Sequence, residues 1–255
     1  MRDELLWTYG VVAAGATLPA DLVGVAGGAV APVAAGGLVA LVSPVPRADF
    51  SAEALREHLN DLAWLERVAR EHEAVLEQVL GVATVVPLRL CTIFEDGAGV
   101  ERMVEREQAA LTDALARLEG RQEWGVKVLV DRERFVPATE SAQEEGGMAY
   151  LARRRGELAA REEARNVAAQ LVDEIDGALR AVAVDAARLP AQNRELSGHT
   201  GDMVLNAAYL VEDAGELHAR VQELRDRHSV DIELTGPWPP YNFVAARGAS
   251  EVQTA

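Results

Sequence analysis

The hydrophobic pattern of this chain switches repeatedly between strand and helix periods after residue 120, and the order of these switches restricts the fold. Four short apolar or alternating runs predict strands at 124–131, 183–189, 204–211 and 230–234. Apolar side chains at three- and four-residue spacings predict a long helix over 148–182 and a second helix that starts near residue 214. The resulting order, βαββαβ, is that of a ferredoxin-like domain.

The first 120 residues predict a variant of the same α+β architecture. A run rich in β-branched and aromatic residues predicts a first strand at 5–12. Glycine-rich turns then separate two apolar segments, 29–33 and 38–43, which predict an extra hairpin beside that strand.

Helical spacing returns after this hairpin. It predicts a helix over 62–80 and another over 100–118, with a short strand at 85–90 between them. We therefore expect an α+β protein with two domains. Residues 1–120 would form a modified ferredoxin-like domain with an extra hairpin and paired helices, and residues 121–255 a ferredoxin-like domain that includes the C-terminal tail.

No charged residue occurs from Leu22 to Pro46, and an uncharged stretch of this length could cross a bilayer. Two glycine pairs and several prolines break it into pieces of strand length. The stretch therefore favours a buried hairpin over a membrane span.

The net charge of −16 and the single cysteine, Cys91, exclude several classes of function. An acidic chain repels a phosphate backbone, so we expect no nucleic-acid partner and interpret the arginines at 153–155 as a solvated helix face. One cysteine cannot form an intramolecular disulfide or a cysteine-rich metal site, and it fits a reducing, cytoplasmic setting.

The residue types of a hydrolase triad occur together in one loop, at Ser197, His199 and Asp202. They lie too close together to converge from separate elements, as the groups of such sites normally do. The five histidines show no metal-binding spacing, and the glycine-rich segments lack phosphate-binding motifs. We therefore expect no catalytic centre, metal or cofactor, and interpret most histidines as helix-surface residues.

The C-terminal sequence GPWPPYNFV concentrates aromatic residues in a chain that has few of them. Its prolines cannot donate ladder hydrogen bonds, so we expect the last strand to end near Leu234 and the chain to continue in extended form. Trp238, Tyr241 and Phe243 then either cover a sheet or domain junction, or anchor a partner, because Trp and Tyr dominate interface hot spots. The residues alone favour the cover and leave the anchor open.

Five blocks together resemble the gas vesicle protein F and L family, in the order of that family and over nearly the whole chain: LLWTYGVV, VVPLRLCTIF, EWGVKVLVD, NAAYLV and GPWPPYNFV. The tail and EWGVKVLVD are the most specific. One departure is that Leu90 and Cys91 stand where the family commonly has Phe and Gly. Because cysteine lacks the backbone freedom of glycine, a role tied to a tight turn is not carried over to this position.

The resemblance implies an accessory protein of gas vesicle formation and not an enzyme. Such a protein would bind the small hydrophobic shell protein and other gas vesicle accessory proteins during assembly, in the cytoplasm and in association with gas vesicles. The resemblance also implies two α+β domains with ferredoxin-like features. It leaves open whether the chain is of the F type or the L type.

Six residues are the candidates for partner binding: Trp238, Tyr241, Phe243, Arg89, Thr92 and Tyr209. We expect the shell-binding surface among the hairpin at 25–43, the NAAYLV strand and the tail, because these are the least charged segments. The alternative function is a ligand-sensing regulatory module built from paired ferredoxin-like domains. Its polar pocket residues would be Arg89, Thr92, His199 and Asn206.

Overall fold

The structure, a computed structural model, describes residues 3–130, 147–191, 202–228 and 230–245. The chain forms two compact units, one from residues 1–122 with 238–255 and one from residues 123–237. Each unit has its own β-sheet with helices packed on it, so the protein has the α+β class predicted from the sequence.

The described part of the first unit contains five strands: β1 (Glu4–Ala13), β2 (Ala31–Ala35), β3 (Leu38–Pro46), β4 (Val86–Pro87) and β5 (Ile93–Phe94). The strands pair in antiparallel fashion in the order β2-β3-β1-β4, and β5 also pairs with β1. β1 is therefore a central strand, and its Leu5, Trp7 and Tyr9 side chains are buried in the core.

The uncharged stretch forms the predicted hairpin. Gly36 and Gly37 connect β2 to β3, and their φ angles of 56° and 78° are the left-handed values of a type I′ turn. The hairpin is only half buried, because β2 lies at the edge of the sheet and exposes Ala31, Pro32 and Ala34. Across the described residues, no helix is long and apolar enough to cross a membrane.

Five helices complete the described part of this unit: α1 (Arg47–Phe50), α2 (Ala52–His58), α3 (Leu62–Leu80), α4 (Gly97–Arg106) and α5 (Gln108–Leu118). The Asp61 carboxylate caps α3 by accepting hydrogen bonds from the N–H groups of Ala63 and Trp64. Gly81 follows the end of α3, as predicted. The apolar face of α3 packs on the same side of the sheet as Trp7.

Two predicted elements of this unit have different bounds in the structure. The helix predicted over 100–118 is two helices, because Glu107 leaves helical geometry with φ −96° and ψ 7°. The strand predicted over 85–90 is replaced by the two-residue strands β4 and β5, which a turn at residues 89–92 separates.

The described part of the second unit contains β6 (Gln122–Val130), α6 (Gly147–Arg180), β7 (Asp185–Arg188), β8 (Asp202–Val211), α7 (Ala214–His228) and β9 (Asp231–Trp238). The strand order β7-β8-β6-β9 confirms the predicted ferredoxin-like sheet. β9 continues to Trp238 instead of ending near Leu234. It lies at the edge of the sheet, where the missing N–H of Pro237 is tolerated.

α6 spans 34 residues, about 51 Å at 1.5 Å per residue, and continues through Gly156 without a break. Its C-terminal half packs in the core through Ile175 and Leu179. In its first half, every described side chain from Arg154 to Val167 is exposed. Among the described side chains of this helix, those that contribute to the core lie in its second half.

The C-terminal tail differs in placement from the predicted domains. The sequence analysis assigned it to the second domain, whereas the structure groups residues from 238 onward with the first unit. The first unit is therefore discontinuous in sequence, and the second unit is inserted into it.

Candidate interaction site

The tail leaves β9 through a glycine. Gly236 has a φ of +137°, which residues with a side chain rarely adopt. A Cβ atom there would lie 3.0 Å from the carbonyl oxygen of Glu123 and 3.1 Å from the Trp124 ring. The glycine of GPWPPYNFV is therefore explained by the backbone path alone.

The three aromatic side chains of the tail have three different environments. Trp238 is 42% exposed and Phe243 is 1% exposed, whereas Tyr241 is half-buried in a 3-10 turn over Tyr241–Phe243. The intervening Pro239 and Pro240 are buried. Pro239, Pro240 and Phe243 are thus packed, and Trp238 is the most exposed of the three aromatic rings.

A series of hydrogen bonds connects Tyr241 to α3 and β1. The indole Nε1 of Trp7 donates to Nδ1 of His72 over 2.9 Å, which assigns the proton of the neutral imidazole to Nε2. Nε2 lies 3.0 Å from the Tyr241 hydroxyl oxygen, and this hydroxyl donates to Glu73 over 2.9 Å. Tyr9 stacks on the His72 ring with centroids 5.3 Å apart. We call Trp7, His72, Tyr241 and Glu73 the tail relay.

Burial sets the charge state of the tail relay. His72 is fully buried, and burial lowers its pKa from 6.5 to about 4, so its ring is neutral at neutral pH. Burial raises the pKa of Glu73; the hydrogen bond from Tyr241 opposes this rise and the charge of Glu77 adds to it. The Trp7 indole needs an unprotonated Nδ1 as its acceptor, so this bond depends on the neutral imidazole.

Arg117 holds the backbone of the tail at a second point. Its guanidinium donates from Nε to the carbonyl oxygen of Phe243 over 3.2 Å and from a terminal nitrogen to that of Val244 over 2.6 Å. A charged donor makes such bonds stronger than neutral ones. Together with the tail relay and the buried Phe243 ring, these bonds attach the tail to the first unit. For Tyr241 and Phe243, the geometry supports the interpretation as a cover.

Arg89 and Thr92 close a tight turn. Thr92 donates from its N–H over 3.2 Å and from its hydroxyl over 2.6 Å to the carbonyl oxygen of Arg89, whose side chain is exposed. Cys91 has a φ of 63°, which the third position of a type II turn requires. The substitution of glycine by cysteine made a tight turn at this position doubtful from the sequence. The structure nevertheless has this turn, with Cys91 in a backbone region that favours glycine.

Tyr209 is a core residue of the second unit. It is fully buried, and its hydroxyl donates to Oδ1 of Asp176 over 2.7 Å. Oδ2 of Asp176 accepts from Arg180 and Arg188, each over 2.9 Å. Burial alone would raise the pKa of Asp176, but these three hydrogen bonds hold it below its usual 3.8. Burial, followed by the bond to Asp176, raises the pKa of Tyr209.

The NAAYLV strand does not provide the surface expected of it. Its residues from 207 to 211 are buried, and Tyr209 could reach a partner only if the core of the second unit opened. Asn206 is half-buried, and its side-chain amide donates to the carbonyl oxygen of Pro190 over 2.7 Å. Both residues therefore have structural roles in the second unit.

The candidate catalytic loop lies largely outside the described part of the chain. Ser197 and His199 lie outside the described residues, as does the side chain of Asp202. In the part of the chain that the structure describes, no three His, Cys, Asp or Glu side chains form a group that could hold a metal ion.

Two residues of the site, His72 and Arg117, were not predicted from the sequence. His72 follows Val68 by four residues and precedes Val75 by three, so its position on the apolar face of α3 predicts burial, not the helix-surface position assumed for most histidines. Arg117 carries no comparable signal, because its acceptors are backbone carbonyls 126 and 127 residues away.

Comparison with known proteins identifies the family. The family model described as "Gas vesicle synthesis protein GvpL/GvpF" matches residues 5–245. Gas vesicle protein L of a Streptomyces species is 36% identical over 262 residues, which cover 99% of this chain and 98% of that protein. Gas vesicle protein F2 of Halobacterium salinarum is 26% identical over 261 residues, which cover 99% of this chain and 98% of that protein.

Solved structures show the same fold. The crystal structure of gas vesicle protein GvpF from Anabaena superposes with a TM-score of 0.70 at 21% identity, over 95% of this chain and 97% of that chain. GvpF from Microcystis aeruginosa gives a TM-score of 0.67 at 19% identity, over 95% of this chain and 99% of that chain. With the family match extending through both units into the tail, the chain belongs to the GvpL/GvpF family of gas vesicle synthesis proteins.

Proposed function

We propose that this protein is an accessory factor of gas vesicle formation that binds the small hydrophobic shell protein and other accessory proteins during assembly. The observation that carries the proposal is the family match over residues 5–245, which includes both units and the tail. We place the protein in the cytoplasm, in association with gas vesicles.

The charge of the chain suits this role. Free shell subunits that pack as apolar β-structure would aggregate in water through their exposed edges and faces. A partner with a net charge of −16 keeps a complex soluble by electrostatic repulsion between complexes. Binding of the apolar surface of the shell subunit would then protect it until it joins the wall.

The exposed hairpin is better suited to side-chain contact than to strand addition. Ala35 pairs with Leu38 across the two-residue turn, so Val33 and Ala35 direct their backbone groups toward β3. Pro32 and Ala34 direct theirs outward, and Pro32 has no N–H to donate. The free edge of β2 is therefore a poor template for another strand, and we propose that its uncharged side chains make the contact.

Trp238 is the tail residue that we propose as a direct partner contact. It is 42% exposed, whereas Pro239 and Pro240 are buried beside it and Tyr241 and Phe243 are fixed to the first unit. An aromatic side chain on a fixed backbone loses little conformational entropy on binding. Tyr241 and Phe243 would then act indirectly, by holding the backbone that carries Trp238.

The experiment is co-purification of the tagged chain with the shell protein of its own gene cluster. We expect the wild type to retain shell protein and Trp238→Ala to retain at least tenfold less, because truncation of a hot-spot residue costs about 2 kcal/mol or more. Val184→Ala is the control, because Val184 is 48% exposed and lies in the other unit. It should retain as much shell protein as the wild type.

Two results would contradict these proposals. Equal retention by the wild type and Trp238→Ala would remove Trp238 as a contact and leave the tail as a cover. Absence of shell protein from the wild-type preparation would overturn direct shell binding. The thermal midpoint of each variant, measured in parallel, separates lost contact from lost folding.

A further inference from the structure

A cavity of about 250 Å³ lies among α1, α2, α3 and the 3-10 turn Val25–Gly27. We call it the α1–α3 pocket. Its lining includes Asp49, Phe50, His58, Trp64, Arg67 and Glu71. It belongs entirely to the first unit and contains none of the tail residues.

Aromatic rings form the wall of the pocket. Trp64 stacks on His58 with centroids 5.0 Å apart and an interplanar angle of 9°, and it packs on Phe50 at 5.7 Å. Phe50 in turn meets Trp7 edge to face at 5.8 Å, so the wall continues into the core. Because Trp64 and Phe50 are buried, this wall is fixed before any ligand arrives.

Two carboxylates line the same cavity, at Asp49 and Glu71. One Glu71 oxygen accepts a hydrogen bond from the N–H of Ala26 over 3.1 Å. The other lies 3.9 Å from Nε of Arg67, whose side chain is 61% exposed. A pair at this distance and exposure contributes little, so an incoming cation can replace it. Asp49 is exposed and has no ion pair within the described residues.

The size of the pocket selects the kind of ligand. At about 250 Å³ the cavity lies at the lower end of the volumes of small-molecule sites, about 300–1,000 Å³, and it can hold one side chain. The helices beside it expose two apolar side chains, Leu59 at 48% and Leu62 at 79%. On α2, Glu53 and Glu57 have no ion pair within the described residues and add negative charge.

We propose that the α1–α3 pocket binds one arginine or lysine side chain of a partner protein. The alkyl stem lies along the aromatic wall, the charged group lies between Asp49 and Glu71, and apolar neighbours in the partner contact Leu59 and Leu62. The proposal rests on the proposed function and deepens it, because it names the chemistry by which an assembly partner is recognised. Charge-assisted hydrogen bonds to carboxylates and contact with aromatic rings are the interactions that favour such a side chain.

The test uses the full chain, labelled with nitrogen-15, and the peptide acetyl-Leu-Arg-Leu-amide. We expect saturable shifts of the Trp64 indole N–H resonance. The peptide with norleucine in place of arginine should bind at least tenfold more weakly. The double variant Asp49→Asn/Glu71→Gln should also bind the arginine peptide at least tenfold more weakly, since glutamine keeps an acceptor for Ala26 but no charge. Glu101→Gln, an exposed carboxylate of α4 that does not line the pocket, is the control and should change binding less than twofold.

The outcomes distinguish this proposal from the proposed function. Absence of saturable shifts, or equal binding of the arginine and norleucine peptides, would overturn the pocket proposal while leaving shell co-purification unaffected. Specific arginine binding by a chain that fails to retain shell protein would support the pocket and count against direct shell binding.

Discussion

Each unit holds a tyrosine hydroxyl in a polar network, and the two networks are built differently. In the first unit, Tyr241 bonds to the neutral His72, 169 residues away, and His72 bonds to Trp7, 65 residues away. In the second unit, Tyr209 bonds to the charged Asp176, whose arginine partners lie 4 and 12 residues from it. The first network centres on a neutral imidazole and joins distant segments, whereas the second centres on a charged carboxylate and is mostly local.

This difference shows how each unit depends on the continuity of the chain. The second unit is a contiguous segment and contains every partner of Asp176. The first unit requires its final segment, because that segment contributes the buried Phe243 and the Tyr241 that completes the tail relay. Changes in the tail should therefore destabilise the first unit selectively.

The largest effect is expected for Phe243→Ala. Truncation of a fully buried phenylalanine costs about 3–5 kcal/mol, and Phe243 is 1% exposed. We expect this loss in the first unit and little change in the second. Hydrogen-exchange rates of amides in α3 and in β8, measured at increasing denaturant concentrations, report the stability of the two units separately.

Trp238→Ala is the control for this prediction. Its ring is 42% exposed, so its removal should cost less than that of the fully buried Phe243. If Phe243→Ala accelerates exchange in α3 and β8 by the same factor relative to the wild type, the tail stabilises both units alike. The proposed difference between the contiguous and the discontinuous unit would then be wrong.

Acidification should destabilise the first unit before the second. Unfolded histidine binds a proton below about pH 6.5, whereas the pKa of folded His72 is about 4. Between these values the unfolded state binds more protons, so the free energy of unfolding falls as pH falls. The lowered pKa of His72 corresponds to a loss of about 3 kcal/mol in the free energy of unfolding over this pH range. The raised pKa of Glu73 opposes part of this loss at the lower end of the range.

His72→Gln tests the origin of this pH dependence, because glutamine keeps a donor and an acceptor but does not titrate. The variant should lose most of the pH dependence of α3 exchange between pH 6.5 and 4. In the second unit, the pKa of Asp176 is depressed below 3.8, so its contribution is lost only as pH falls through that lower value. The same acid dependence in the wild type and His72→Gln would contradict the assignment to His72.

Asp176→Asn should destabilise the second unit by about 2 kcal/mol, because hydrogen bonds to charged groups contribute about 1.5–3 kcal/mol each and the arginines remain partly solvated. Asp173→Asn is a matched control. Its carboxylate also accepts from Arg188 over 2.9 Å but is 73% exposed, so its loss should cost less than about 1 kcal/mol. Urea denaturation, followed at residues of β8, measures the loss of stability in both variants. Similar losses in the two variants would show that burial does not distinguish the two carboxylates.

The sequence predicts most strongly the features that depend on local period. The order βαββαβ, the hairpin at its glycine pair, and the end of α3 at Gly81 all follow from patterns within a few residues. The break at Glu107 could not be predicted, because no glycine or proline marks it and the apolar spacing continues across it. Periodicity identifies a buried face but not the distant segment that covers it, so the attachment of the tail was also missed.

The candidate residues illustrate the same limit. Aromatic composition identified the tail, but only packing separates the exposed Trp238 from the buried Phe243. Tyr209 belongs to a matching block and is buried with a hydrogen-bonded hydroxyl. A family motif therefore marks structural positions as readily as contact positions, and exposure is needed to distinguish them.

The smallest effect concerns the turn at Cys91, in the first unit. A non-glycine residue at φ 63° is strained by about 1–2 kcal/mol, and glycine removes this strain at some cost in unfolded-state entropy. We therefore expect Cys91→Gly to be more stable than Cys91→Ala by about 1 kcal/mol, since both variants lack the thiol and only alanine keeps the strain. Because Thr8 donates to the carbonyl oxygen of Thr92, which ties the turn to β1, the gain should appear in exchange of β1 amides and not in β8. Equal stability of the two variants would mean that the surrounding contacts, and not the preference of the residue, determine this turn.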